Sequence, residues 1–214
     1  MENAILNKIL IIPAVLIGLT FHEYAHAYMA DKLGDKTPKF QGRLSLNPFV
    51  HIDPIGFIMI LLIGFGWAKP VQTNPGVYRH YYKDDLKVSL AGPLANLLVA
   101  LLAALLTALL YKLGIFSLIT MGSLSTIIAT ILLSIISINC MLFVFNLIPI
   151  PGLDGFHILR DLFPSHFYKV SDFLYKYQLL ILLVFVATPL ATYIVGLPSK
   201  YLYSMFINLI NLIV

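Results

Sequence analysis

The stretch "GLTFHEYAHAYMADK", residues 18–32, ends a run that is almost wholly apolar over residues 5–19 and then carries His22, Glu23 and His26 in close succession. Ionisable groups at membrane depth are costly unless they are paired or used, so these three mark a functional site near the end of a membrane-spanning helix. In the pattern H-E-x-x-H the histidines stand at i and i+4, which on a helix is one face. Both imidazoles can then reach one metal ion, with Glu23 beside the position left for water. Zinc suits this donor set, because it takes neutral imidazole and in catalytic sites keeps three protein ligands plus water. Glu23 would accept a proton from that acidified water and later deliver it to a leaving amine. The competing reading, two histidines satisfying interfacial water and a glutamate as a surface charge, fits a soluble helix better than a membrane segment.

The rest of the chain is that of an integral membrane protein. Of its 214 residues, 59% are hydrophobic and 11% charged, and the mean hydropathy of +0.89 lies outside the range of a soluble domain. The length accommodates a single transmembrane domain over residues 1–214 with no sizeable soluble appendage. Net charge is +4, but the basic residues are scattered over short loops instead of forming the stripe that nucleic acid requires. The single Cys140 excludes an internal disulfide and a cysteine-based metal site. Lys8, an apolar run and Ala25-His26-Ala27 loosely imitate a signal peptide, but His22 and Glu23 ahead of the cleavage-like site speak against one.

Apolar runs long enough to cross a hydrocarbon core of about 30 Å occupy residues 5–28, 87–111, 124–148 and 177–197. Residues 55–66 ("IGFIMILLIGFG") are too short for an easy crossing, and residues 201–214 either span with strain or lie at the interface. The expected fold is an all-α polytopic membrane protein with about four to six transmembrane helices and a re-entrant or short membrane segment near 55–70. Charge sets the orientation. Lys32, Lys36, Lys39 and Arg43 fill one loop, Lys69, Arg79, Lys83 and Lys87 the next, and Arg160, Lys169 and Lys176 a third, whereas Lys112 stands alone. If 55–66 enters and leaves on one side, every basic loop is cytoplasmic. The end of the first helix and the end of the 124–148 run then share that side.

A third ligand is expected where the latter run breaks. "FNLIPIPGLDGFHILR", residues 145–160, interrupts the helix with Pro149, Pro151, Gly152 and Gly155. Irregular backbone at membrane depth survives only where it is buried in protein or lines a water-filled cavity. Asp154 on that break is the best third ligand; the alternative is a solvated Asp-Gly turn at an ordinary helix end.

These residues resemble the site-2 proteases, intramembrane zinc metalloproteases that cut substrates within or near transmembrane segments. The resemblance rests on HEYAH at 22–26, "AGPLAN" at 91–96 and "FNLIPIPGLDG" at 145–155, while "GRLSLNPFVHIDPIG" at 42–56 is similar to the small branch lacking PDZ and CBS domains. It implies zinc ligation by His22, His26 and Asp154, with Glu23 as the base. It further implies that Asn146 helps hold the substrate or stabilise the oxyanion, a task suited to an amide donor. Asn96 is either part of the site or interhelical glue, with Gly92 a close-packing position.

Other polar residues carry weaker signals. His51 and Asp53 either orient a ligand histidine or anchor the start of the short apolar segment between Pro48 and Pro54. His157, three positions after Asp154, is an alternative ligand, and His80 and His166 read as loop residues. Gly64-Phe65-Gly66 is either the counterpart of the family's re-entrant β-hairpin, able to pair with an unwound substrate, or a hinge ending a short helix before Trp67.

The expected activity is hydrolysis of peptide bonds in or near membrane spans, with one Zn2+ per chain, in a multi-pass protein of the cell membrane whose active site lies toward the cytoplasm. Its expected partners are single-span membrane protein substrates and the bilayer, with no nucleic acid. A prenyl-protein type of zinc peptidase needs a glutamate as third ligand, and only Glu2 remains. A metal transporter would need polar groups through the full membrane depth, whereas these gather at one side. An idle scaffold is argued against by the intact Glu23.

Overall fold

Small residues decide how the long helices meet. A computed structural model describes the chain apart from residues 1, 65, 119–121 and 170. Its principal helices are α1 (Glu2–Lys32), α2 (Pro54–Ile63), α3 (Tyr81–Lys112), α4 (Gly122–Asn146), α5 (Asp154–Leu162), α6 (Gln178–Ala187) and α7 (Leu197–Ile213). Helix α3 buries Ala100, Ala103, Ala104 and Ala108 against Ala14 of α1 and Leu132, Ile135, Ile136 and Cys140 of α4. Lipid removes the hydrophobic drive between apolar helices, so attraction must come from close packing, which small side chains permit. The opposite face of α3, with Leu94, Leu98, Leu102 and Leu109, is exposed and suited to acyl chains.

Among the described residues three helices are long and apolar enough to cross a membrane: Lys8–Lys32, Tyr81–Lys112 and Leu124–Asn146. A fourth crossing arises if the pair Gln178–Ala187 and Pro189–Ile213, bent by 75°, counts as one span. The apolar run over 177–197 is thus not a single straight helix. Pro189 disfavours helical backbone at the residue before it, and Thr188 is accordingly extended. A π-helical turn, Thr192–Gly196, then leads into α7. Residues 201–214 do not lie apart from the bundle, because Phe206 and Ile210 of α7 insert into the core between α3 and α4.

The short segment returns to where it starts. Asp53 Oδ1 accepts the Gly56 amide at 2.8 Å and starts α2, with Pro54 preset for the first helical position. Gly64 ends α2 in the left-handed region at φ 78°. The chain then doubles back, so that Ile52 and Ala68 form an antiparallel bridge and Lys69 N donates to His51 O at 2.9 Å. This return needs two glycines: a Cβ on Gly56 would stand 2.1 Å from Trp67 O, and one on Gly66 2.0 Å from Gly56 O. Residues 53–67 thus enter and leave at one place, as the charge distribution requires. Gly64 acts as a hinge, not as a hairpin tip, and among the described residues the single bridge is the only strand pairing; Phe65 lies outside those residues.

His51 and Asp53 also resolve into anchors. His51 Nε2 donates to Ser45 O at 2.7 Å, and Asp53 is spent on its helix cap, so neither orients a ligand histidine.

Candidate metal centre

Helix α1 presents His22 and His26 on one face, and each ring is fixed through its Nδ1. His26 Nδ1 donates to the carbonyl of Val88 at 2.8 Å, and His22 Nδ1 bonds Asn96 Oδ1 at 2.7 Å. A neutral ring whose Nδ1 donates in this way offers its Nε2 as a metal ligand. The two Nε2 atoms face each other at 3.1 Å.

Asp154, the first residue of α5, completes the group. Its Oδ2 lies 3.2 Å from His22 Nε2 and its Oδ1 3.2 Å from His26 Nε2. Asp154 Oδ2 is buried without a hydrogen-bond partner. Two imidazole nitrogens and a buried carboxylate gathered at one point form a set that a cation satisfies. Atoms bound tetrahedrally at zinc distances lie about 3.3 Å apart, close to the separations found. The donor set and its spacing fit zinc.

Two glycines make room for this arrangement. A Cβ on Gly92 would stand 2.3 Å from His26 Nε2 and 2.6 Å from His22 Cε1. A Cβ on Gly155 would stand 2.3 Å from Leu147 O, so the Asp-Gly pair lets α5 start hard against the end of α4. We expect Gly92→Ala to lower zinc affinity by at least the ~10–100-fold typical of displaced outer partners, read by chelator competition on the purified chain, since the added methyl occupies ring space. Unchanged affinity would show that the rings stand elsewhere in solution.

Glu23 is buried beside the histidines, and its Oε2 accepts the backbone amide of Val71 at 2.8 Å. That amide belongs to the segment returning from α2. The segment is pinned by Arg43, which donates to Val50 O and, at 3.0 Å, to Pro70 O, and by Asp35, which accepts the Asn74 amide at 2.6 Å. Asn146 lines the same cavity, with its Nδ2 donating to Leu142 O of its own helix at 3.0 Å. The cavity, about 480 Å³, is walled also by Thr73, Ser89, His157 and Arg160. His157 lies at its wall and outside the three-residue group. His80 precedes α3 as expected, whereas His166 belongs to a helical turn, Pro164–Phe167.

The sequence reading passes over a second polar cluster that holds α5 in place. Arg160 pairs with Asp85 of α3 and, through Nε at 2.8 Å, with its neighbour Asp161. Two carboxylates share one guanidinium. Burial pushes the Asp161 carboxyl up to about 6, with Arg160 opposing the rise and Asp85 adding to it. An ordinary unfolded Asp titrates near 3.9, so between about pH 4 and 6 the folded chain keeps a proton that the unfolded chain has lost. This group's stabilisation is complete below that window and lost as pH rises through it. Thermal unfolding followed from pH 4.5 to 7.5 should show wild type losing stability relative to Asp161→Asn; parallel profiles would remove this account.

Comparison with known proteins agrees with the geometry. The model of "Peptidase family M50" matches residues 10–188. A Bacillus subtilis protein named "Putative zinc metalloprotease YwhC" is 38% identical over 180 residues, covering 84% of this chain and 81% of that protein. Proteins with the same description, named Rip2, are 32% identical in Mycolicibacterium smegmatis and 31% identical in Mycobacterium tuberculosis, strain Erdman. Each of those alignments covers 71% of this chain but 56% of the relative, so the chain spans about half the length of the Rip2 proteins. No solved structure matches.

Proposed function

The chain belongs to peptidase family M50, the site-2 proteases, and from that premise we propose that it is an intramembrane zinc metalloendopeptidase acting on single-span membrane proteins. The observation that carries this reading is the convergence of His22 Nε2, His26 Nε2 and the Asp154 carboxylate beside a buried glutamate in a cavity. In this reading His22, His26 and Asp154 hold the zinc. When bound, zinc supplies a Lewis acid and brings the pKa of a coordinated water toward neutrality.

The remaining work belongs to the chain's own residues. Glu23 Oε2 is occupied by the Val71 amide, which fixes the carboxylate and leaves Oε1 to take the proton of the attacking water. The same oxygen then returns that proton to the leaving amine. Asn146 Nδ2 spends one hydrogen on Leu142 O and keeps the second for the substrate carbonyl oxygen, where negative charge develops. A helical peptide bond has its carbonyl already hydrogen-bonded, so the substrate must unwind before it can be attacked. The polar cavity wall offers acceptors and donors to an unwound segment.

Orientation and extent follow the same reading. With residues 53–67 returning to their starting point, the basic loops lie on one side, which the positive-inside rule assigns to the cytoplasm. Residues 1–214 act as one transmembrane protease domain in the cell membrane. A transporter reading is disfavoured because buried His22, Glu23, Asp85 and Asp161 gather at the α1–α3–α5 junction and Asp35, Arg43 and His51 lie in the loop after α1, instead of forming a path through the bundle. Incubating purified chain with a panel of single-span substrates tests the proposal: cleavage in or near the span supports it, and zinc-loaded protein that cuts none of them contradicts it.

A further inference from the structure

Helix α4 buries one amide that the chemistry above does not use. Asn139 is fully buried, in a helix otherwise made of apolar and small residues at this depth. Its Nδ2 donates to Ile135 O of its own helix at 2.8 Å. A carbonyl can only accept, so this contact decides which end of the Asn139 amide is nitrogen. The Oδ1 atom must then face α3, where it accepts Asn96 Nδ2 at 2.9 Å.

The same logic passes to the next amide. Asn96, also fully buried, gives its second Nδ2 hydrogen to Gly18 O of α1 at 2.9 Å. Both of its donors are consumed, and Asn96 Oδ1 is left facing His22 Nδ1 at 2.7 Å. An oxygen there requires the His22 proton on Nδ1 and leaves Nε2 bare. Were the Asn96 amide reversed, its NH2 group would face His22 Nδ1, favour the other tautomer, and put a proton where a metal must bind.

We propose that Asn139 is a positioning residue for the metal centre: together with Gly18 O it fixes the direction of the Asn96 amide and so sets the tautomer of His22. It does so from a third helix, without touching the ring. The inference rests on the zinc-site reading above and extends it from α1 and α3 to α4. It also explains why an apolar spanning helix tolerates a buried amide, since each of the four Nδ2 and Oδ1 atoms has a partner.

The test measures zinc affinity by chelator competition on the purified full-length chain in detergent, alongside the thermal midpoint. Asn139→Leu removes one of the two acceptors that hold the Asn96 nitrogen and leaves Gly18 O alone to oppose reversal, and affinity should fall about tenfold, the lower end of what lost outer partners cost. Asn139→Asp keeps an oxygen facing Asn96 and should retain most of the affinity. Asn96→Ala combined with Asn139→Leu should bind no more weakly than Asn96→Ala alone, because both changes act through one path. Thr107→Val, which removes a buried hydroxyl bonded only within α3 to Ala103 O, should lower the midpoint without changing zinc binding. The inference is overturned if Asn139→Leu binds zinc as wild type does, if Thr107→Val weakens binding equally, or if the two asparagine effects add. A wild-type chain that binds no zinc overturns the metal-site reading itself, and the inference with it.

Discussion

Asp154→Ala should leave the purified chain without its zinc. The carboxylate is the sole anion among the three donors, and its oxygens stand 3.2 Å from each imidazole nitrogen. Removing it takes away both a ligand and the charge that offsets the cation. The loss should therefore exceed the ~10–100-fold that outer partners typically cost, and metal analysis of protein dialysed against a weak chelator should read close to zero. Asp154→Asn is the sharper variant. It preserves size and the contact of α5 with the end of α4, so a folding defect cannot account for its result. A variant of either kind that keeps one zinc per chain would mean that the third ligand lies elsewhere, with His157 on the same cavity wall the first to examine.

Glu23→Gln should do the reverse, keeping zinc and losing proteolysis. Glu23 lies outside the three-donor group but shares its cavity, and its carboxylate is held by the Val71 amide at 2.8 Å. A glutamine can keep that hydrogen bond through its oxygen. It then turns an amide nitrogen toward the water, which cannot accept a proton. General acid–base catalysis contributes about 10²–10⁴-fold, and one group here serves both transfers, so cleavage should fall by about 10³-fold or more. Equal zinc content in the two proteins makes the comparison meaningful. If Glu23→Gln cuts as fast as wild type, the proton passes through another group.

Much of the site was legible in the sequence because helix periodicity is local. Four-residue spacing puts His22 and His26 on one face whatever else the chain does, and the Pro-Gly break before Asp154 announces irregular backbone at depth. The return of residues 53–67 was legible only indirectly, through lysines and arginines that fit one side of the membrane. The pair Gly56 and Gly66 that makes it possible reads as ordinary composition until the two backbones are seen in contact. Val71 could not be found at all, because it contributes a backbone amide and every residue but proline has one. Asn139 did carry a signal, as a lone amide seven positions before Asn146 in an apolar helix, and so on nearly the same face. The bend within 177–197 was not legible for a plain reason: hydropathy counts apolar residues, whereas Pro189 acts on the backbone of Thr188.

Metal removal and return is the most direct measurement of the central claim. Purified wild type is stripped with a strong chelator, and cleavage of a single-span substrate is followed as zinc is added back. Cleavage should vanish on stripping and return in step with one zinc equivalent per chain, at a bond within or beside the substrate's span. Cleavage that persists in fully stripped protein would contradict the account.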